Sequence, residues 1–177
     1  IRDCRNRIFS MASIHEKLYE TENLTKIPLG EYIRDVGKRI ILEFEMTYEQ
    51  MTYDVIEDQA MYVDINTGIP IGLLINELIT NSLKHAFRPT CHGAITVQIR
   101  NNGDFCEIIY HDNGRGLPDG FDPENQQTLG IELIRNLTIQ IQGSVSFLSG
   151  EGMTCTVTFP LMKTTNSHEC HNVTGDS

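Results

Sequence analysis

Through residues 67–87 apolar side chains recur at helical spacing: at about 100° per residue, Ile71, Leu74, Ile75, Leu78, Ser82 and Ala86 fall on one side. Glu77, Asn81, Lys84 and Arg88 form a narrow stripe beside them. The segment therefore predicts one helix with a core face and a chemical face. A helix that is merely solvated scatters its charges over a wide arc, whereas this one sets a carboxylate, a carboxamide and two cations in successive turns. A surface ladder of Glu and Lys is the plainer reading of the stripe, and the motifs downstream of the helix argue against it.

Around that helix the pattern alternates between periods of 3.6 and 2. Residues 1 to about 22 read as a helix through Ile8, Met11, Ala12, Ile14, Leu18 and Tyr19, and residues 29 to about 45 as a second through Ile33, Val36, Ile40, Ile41 and Phe44. Residues 23–28 mark the boundary between them. Short strands are predicted near 51–56 and 61–65. Residues 94–100 and 105–111 alternate cleanly about the turn Asn101-Asn102-Gly103-Asp104, which predicts a hairpin. From 113 to 128 the chain is rich in Gly, Pro, Asp and Gln without periodicity, and a loop of that length inside a compact domain is usually functional. An amphipathic helix over 129–141 and a second hairpin, 144–148 with 154–159 about Gly150-Glu151-Gly152, complete the pattern. Phe87, Phe105, Phe121, Phe147 and Phe159 read as core, Phe121 also as a residue that helps a loop close. Helix, strands, helix, hairpin, helix, hairpin is the order of an α+β two-layer sandwich, a mixed sheet with helices on one face.

Composition narrows the function. Hydrophobic residues make up 40% of the 177, enough for a real core, and no apolar run is long enough to cross a membrane. With 14 basic and 24 acidic side chains the net charge is −10, which argues against nucleic-acid binding, since phosphate neutralisation needs a basic surface. A nucleotide can still bind through local dipoles and a metal ion. The five cysteines, Cys4, Cys91, Cys106, Cys155 and Cys170, are odd in number and lack a CxxC pair, as expected of reduced thiols in a cytoplasmic protein. A start at Ile1 without a signal-like segment is expected of a piece of a longer protein.

Neither the phosphate loop G-x-x-x-x-G-K-[ST] nor a dinucleotide G-x-G-x-x-G occurs. The residues support another way of holding a nucleotide. Asp112, at a strand end, only accepts hydrogen bonds when ionised and suits the exocyclic amine of adenine. Gly114 and Gly116 leave room for a ligand or for positive φ. Gly130 opens a helix whose free N–H groups suit phosphate oxygens. Asn81 offers an uncharged oxygen to Mg²⁺, and Glu77, one turn earlier, is placed as a base or hydrogen-bond acceptor for the attacking group.

Those residues carry a family resemblance. Residues 76–86, NELITNSLKHA, resemble the N box of the ATPase superfamily that contains gyrase, the heat-shock chaperones, the mismatch-repair ATPases and the sensor histidine kinases. Asp112-Asn113-Gly114-Arg115-Gly116 resembles its first glycine box, Thr128-Leu129-Gly130 its second, and Gly150-Glu151-Gly152-Met153-Thr154 a looser form of its last. The match covers about residues 29–161. It implies a Bergerat-type ATP-binding fold with ATP and Mg²⁺ as cofactors. By resemblance, Asn81 coordinates Mg²⁺, Asp112 reads adenine, Gly114 and Gly116 hinge a lid over about 113–128, Leu129 and Gly130 belong to the nucleotide site, and Thr154 helps with adenine through its hydroxyl. Lys84 and His85 are implied to approach the phosphates. Glu77 stands where the superfamily's hydrolases place a water-activating base, which leaves open whether it activates water or aids transfer to a side chain.

Residues 7–19 resemble the second helix of the dimerisation and phosphoacceptor hairpin of one histidine-kinase subfamily. That implies three parts: residues 1–27 from the hairpin, 28–161 as the ATP-binding catalytic domain, and 162–177 as a polar, disordered tail. It also implies a homodimer through the N-terminal helix, a response-regulator receiver domain as partner, and an acceptor histidine upstream of Ile1. The domain itself is then cytoplasmic and touches no membrane, although upstream segments can anchor the parent. His15 reads as packing or surface, His92 beside Cys91 as a loop residue, and His168 and His171 with Cys170 as a tail rather than a metal site. An anti-sigma-factor-like serine kinase and a non-catalytic nucleotide-sensing dimer module are the competing functions.

Overall fold

The computed structural model describes residues 26–45, 50–87, 92–118, 120–121 and 128–161. The expected helix over 1–22, Arg88 of the polar stripe, the tail, His15, His168, His171, Cys4, Cys91 and Cys170 lie outside them.

Strand β1 (Ile27–Pro28) leads into helix α1 (Leu29–Glu43), followed by β2 (Met51–Glu57) and β3 (Tyr62–Val63). Helix α2 (Ile65–Asn81) runs on into a π-helical turn (Ser82–Ala86). Then come β4 (Gly93–Asn101), β5 (Phe105–Asp112), α3 (Leu129–Gln140), β6 (Ser144–Gly150) and β7 (Gly152–Pro160). Five strands form one sheet in the order β2-β4-β5-β7-β6, with β1 and β3 as a separate two-stranded piece. Among the described strands only the β2–β4 pair is parallel. Parallel neighbours need a crossover, and α2 lies in this one.

The sheet buries one face. Ile95, Val97 and Ile99 of β4, Cys106, Ile108 and Tyr110 of β5, and Cys155, Val157 and Phe159 of β7 all point inward and are at most 1% exposed. They meet Ile71, Leu74, Ile75 and Leu78 of α2 and Ile33, Val36 and Ile40 of α1 in one continuous core. Alternate residues on the same strands are only half-buried. The α+β sandwich expected from the pattern is therefore the fold observed. Phe159 is core as expected, and Phe87 and Phe147 are partly buried against it. Phe105 is not: the strand's alternation turns it away from the core, and it is 49% exposed.

Asp64 caps α2, its Oδ1 accepting from Thr67 N at 2.8 Å. The helix begins two residues before the apolar periodicity becomes visible. Helices α1 and α2 approach closely at Gly72, where an added Cβ would strike the Tyr32 hydroxyl. That hydroxyl is buried and has no hydrogen-bond partner among the described residues.

Two substitutions test this packing. Gly72→Ala gains about 1 kcal/mol of helix propensity and loses about 1–3 kcal/mol to overpacking, so urea midpoints should fall. Tyr32→Phe removes an unsatisfied buried group and should be neutral or stabilising by about 1 kcal/mol; in that background the cost of Gly72→Ala should shrink. Separately, burial pushes both core thiols from 9.0 up to about 12, Cys106 being raised further by Glu57 and Glu107. Their protonated forms favour the fold fully below pH 9, and that contribution is lost as pH rises towards 12. Both should resist alkylation at pH 8 in the native protein and react once it is unfolded in urea.

Candidate functional site: a nucleotide cleft beside Asp112

Where β5 ends, the end of α2, its π-helical turn, the start of α3 and β7 enclose a cleft of about 440 Å³. That lies in the range of small-molecule sites. Glu77, Asn81 and His85 line it from the α2 side, Asp112 from the end of β5, Gly116 from the loop after β5 and Gly130 from the start of α3. Leu78, Ile134, Phe147 and Met153 give it an apolar wall.

Asp112 is 1% exposed, and what keeps an acid there is a set of donors. Oδ1 accepts from Gly114 N at 3.0 Å and Met153 N at 3.4 Å. Oδ2 accepts from Ser82 Oγ at 2.6 Å, a short charge-assisted bond. Ser82 Oγ lies 2.7 Å from the Tyr110 hydroxyl. One side chain thus ties the π-helical turn, the glycine loop and β7 together.

The loop leaving β5 is sewn to its neighbours. Arg115 N donates to Ala86 O at 3.1 Å, and Leu117 N donates to Ser149 Oγ at 2.9 Å. Gly116 has φ +73°, a conformation that favours glycine, and its missing Cβ leaves room for Ser149. Gly130 brings the start of α3 against Glu77 and Asn81, since a Cβ there would strike the Glu77 carboxylate and come within 3.3 Å of Asn81 Nδ2. Thr128 caps this helix, accepting from Ile131 N at 3.4 Å. Glu77 itself is 1% exposed.

Glu77, Asn81, His85, Asp112, Gly116 and Gly130, six of the residues expected from sequence, thus share one cleft. Lys84, Gly114, Leu129 and Thr154 do not line it. Lys84 is exposed and does not line the cleft, whereas His85, four residues after Asn81, does. Gly114 packs on Ala86 rather than on a ligand. Leu129 is 68% exposed. The β5–β7 register pairs Asp112 with Met153, and alternation sends Thr154 to the other face, where its Oγ1 lies 3.0 Å from His111 Nδ1. Met153, with its backbone N–H and its side chain, holds the place expected of Thr154. Ser82 and Tyr110 were legible only as core positions. Their spacing is helical and alternating respectively, and only the packing of α2 on β5 brings the Ser82 hydroxyl to Asp112 and the Tyr110 hydroxyl to Ser82.

The profile of the family described as histidine kinase-, DNA gyrase B- and HSP90-like ATPases matches residues 66–163, more than half of the chain. The chain belongs to that ATPase family. A second profile, described as histidine kinase, matches residues 1–44. Sensor histidine kinase PdtaS of Mycolicibacterium smegmatis is 33% identical over 85 residues, covering 47% of this chain and 17% of that protein. Blue-light-activated histidine kinase 2 of Erythrobacter litoralis is 32% identical over 142 residues, 76% of this chain and 39% of that protein. The histidine kinase domain of a blue-light-activated histidine kinase from Erythrobacter litoralis superposes with a TM-score of 0.74 at 24% identity, over 88% of this chain and 75% of that one. The chain spans less than half the length of these curated relatives.

The cleft of this ATPase-family domain fits ATP. A carboxylate has about four acceptor positions, and the three donors on Asp112 leave one for an adenine amine. The apolar wall suits a purine face, and Asn81 beside the free N–H groups of α3 suits the phosphates. Asp112→Asn exchanges acceptor capacity for a donor and should weaken ATP at least about tenfold in a fluorescent-analogue titration. Thr154→Val should leave affinity within about twofold, and Met153→Ala should lower it.

Proposed function

We propose that residues 28–161 are the ATP-binding catalytic domain of a two-component sensor histidine kinase, which passes the γ-phosphoryl group of Mg·ATP to a histidine outside this domain and thence to a response-regulator receiver domain. The observation that carries the reading is the single cleft that joins Asp112 to Glu77, Asn81 and His85 at the start of α3. Asp112 would orient the base, and the α3 N-terminus would hold phosphate oxygens by its free amides. Asn81 would take the magnesium ion, which, when bound, supplies neutralisation of phosphate charge. His85 lines the same wall and would face the phosphates, with Lys84 reaching them from the exposed side of the turn. Glu77, buried in the wall of the same cleft, would accept the attacking group's proton or a hydrogen bond from it.

The histidine kinase profile over residues 1–44 supports residues 1–27 as part of a dimerising helical hairpin, and hence a homodimer in the parent protein. Among the described residues no helix is long and apolar enough to cross a membrane.

Incubation with γ-labelled ATP and a supplied histidine-bearing hairpin should place an acid-labile label on the hairpin, and the isolated chain should bind ATP without labelling itself. Only acid-stable label would favour a serine kinase instead, and label on a histidine of the isolated chain would remove the need for an outside acceptor. Glu77→Gln should slow transfer about 10²-fold or more while leaving ATP affinity nearly unchanged. Asn81→Ala should remove the Mg²⁺ dependence of ATP binding.

A further inference from the structure

Beside Asp112 lies a pair of hydroxyls that the proposed phosphoryl transfer does not use, Ser82 on the cleft wall and Tyr110 beneath it. Ser82 is 2% exposed and Tyr110 is fully buried. Ser82 Oγ carries one proton and lies 2.6 Å from Asp112 Oδ2. Asp112 already receives two backbone N–H groups on Oδ1, so it acts as an acceptor, and the serine proton is committed to it. Along its 2.7 Å contact with Tyr110, Ser82 Oγ can then only accept, which makes the phenol the donor. The Tyr110 oxygen also lies 3.3 Å from Leu78 O, which can share the same proton. Burial pushes the phenol well above its ordinary range, so it keeps that proton at any working pH. Donation therefore runs one way, from Tyr110 to Ser82 to Asp112, and hydrogen bonds in such a chain polarise and strengthen one another.

The acceptor position left open on Asp112 is on Oδ2, the oxygen that the serine holds. We propose that Ser82, aligned by Tyr110, sets the base preference of the cleft: it keeps Asp112 a pure acceptor whose open position fits the exocyclic amine of a 6-aminopurine and repels the carbonyl of a 6-oxopurine. The inference rests on the reading of the cleft as a purine-nucleotide site. Tyr110 does not line the cleft and acts only through Ser82, so it is a positioning residue, whereas Ser82 holds Asp112 from the cleft wall itself.

ATP and ITP differ at that purine position, an amine in one and a carbonyl in the other. Competition titrations of both against a fluorescent ATP analogue, on the 177-residue chain, compare wild type, Ser82→Ala, Tyr110→Phe and the double variant. Wild type should prefer ATP. Ser82→Ala should weaken ATP about fivefold, the scale of one hydrogen bond, and leave ITP unchanged. Tyr110→Phe should narrow the preference by less, and the double variant should match Ser82→Ala. Equal losses for ATP and ITP in Ser82→Ala would reduce the serine to a structural role and overturn the proposal. So would a Tyr110→Phe effect that persists in full without the serine hydroxyl. A wild type that binds both nucleotides equally refutes the base preference and leaves the nucleotide site standing, whereas one that binds neither refutes both.

Discussion

A carboxylate at the inner end of β5 is the constraint around which this domain is arranged. Asp112 is almost wholly removed from water, and an isolated charge there would cost several kcal/mol even after relaxation. Three donors offset that cost, and each comes from a different part of the chain: Ser82 from the π-helical turn, Gly114 from the loop beyond β5 and Met153 from β7. Hydrogen bonds to a charged group contribute about 1.5–3 kcal/mol each, so the set is of the size needed to keep the acid in place. The same three donors leave one acceptor position towards the cleft. The arrangement that stabilises the acid thus also leaves it an acceptor at the cleft wall.

Helix α2 works on two sides. Its apolar residues close the core over the sheet, and its polar residues Glu77 and Asn81 turn towards α3, which approaches so closely that a Cβ at position 130 would displace the Glu77 carboxylate. The π-helical turn at its end does two things at once. It holds Ser82 against Asp112, and of its two basic side chains His85 and not Lys84 lines the cleft. π-helical turns are rare and often occur at functional sites, and this one lines the cleft through Ser82, His85 and Ala86.

Much of the fold was readable as pattern. Alternation over the two hairpins, helical spacing over three segments and the turn at Asn101 to Asp104 correspond to elements whose ends moved by a residue or two. The glycine boxes and the N box were readable because their residue types are chemically particular. The Thr154 and Lys84 placements were not. Thr154 depends on the register of β5 against β7, in which a shift of one residue exchanges the two faces of a strand. For Lys84, helical spacing alone is too coarse: at about 100° per residue His85, four positions after Asn81, lies nearer its azimuth than Lys84, three positions after it. Phe105 was assigned to the core by its type, and its position on the outward-facing side of β5 prevailed.

By itself the order of residues determined the two-layer architecture, the helix that carries Glu77 and Asn81, the acid at the strand end and the glycines around it, because those are local properties of spacing, propensity and chemical type. Which groups meet that acid was decided only in three dimensions. Ser82 and Met153 reach Asp112 from 30 and 41 residues away along the chain, and Tyr110 meets Ser82 across 28; their meeting depends on strand register and the packing of α2 on the sheet. Those quantities belong to pairs of elements, and no single stretch of sequence contains them.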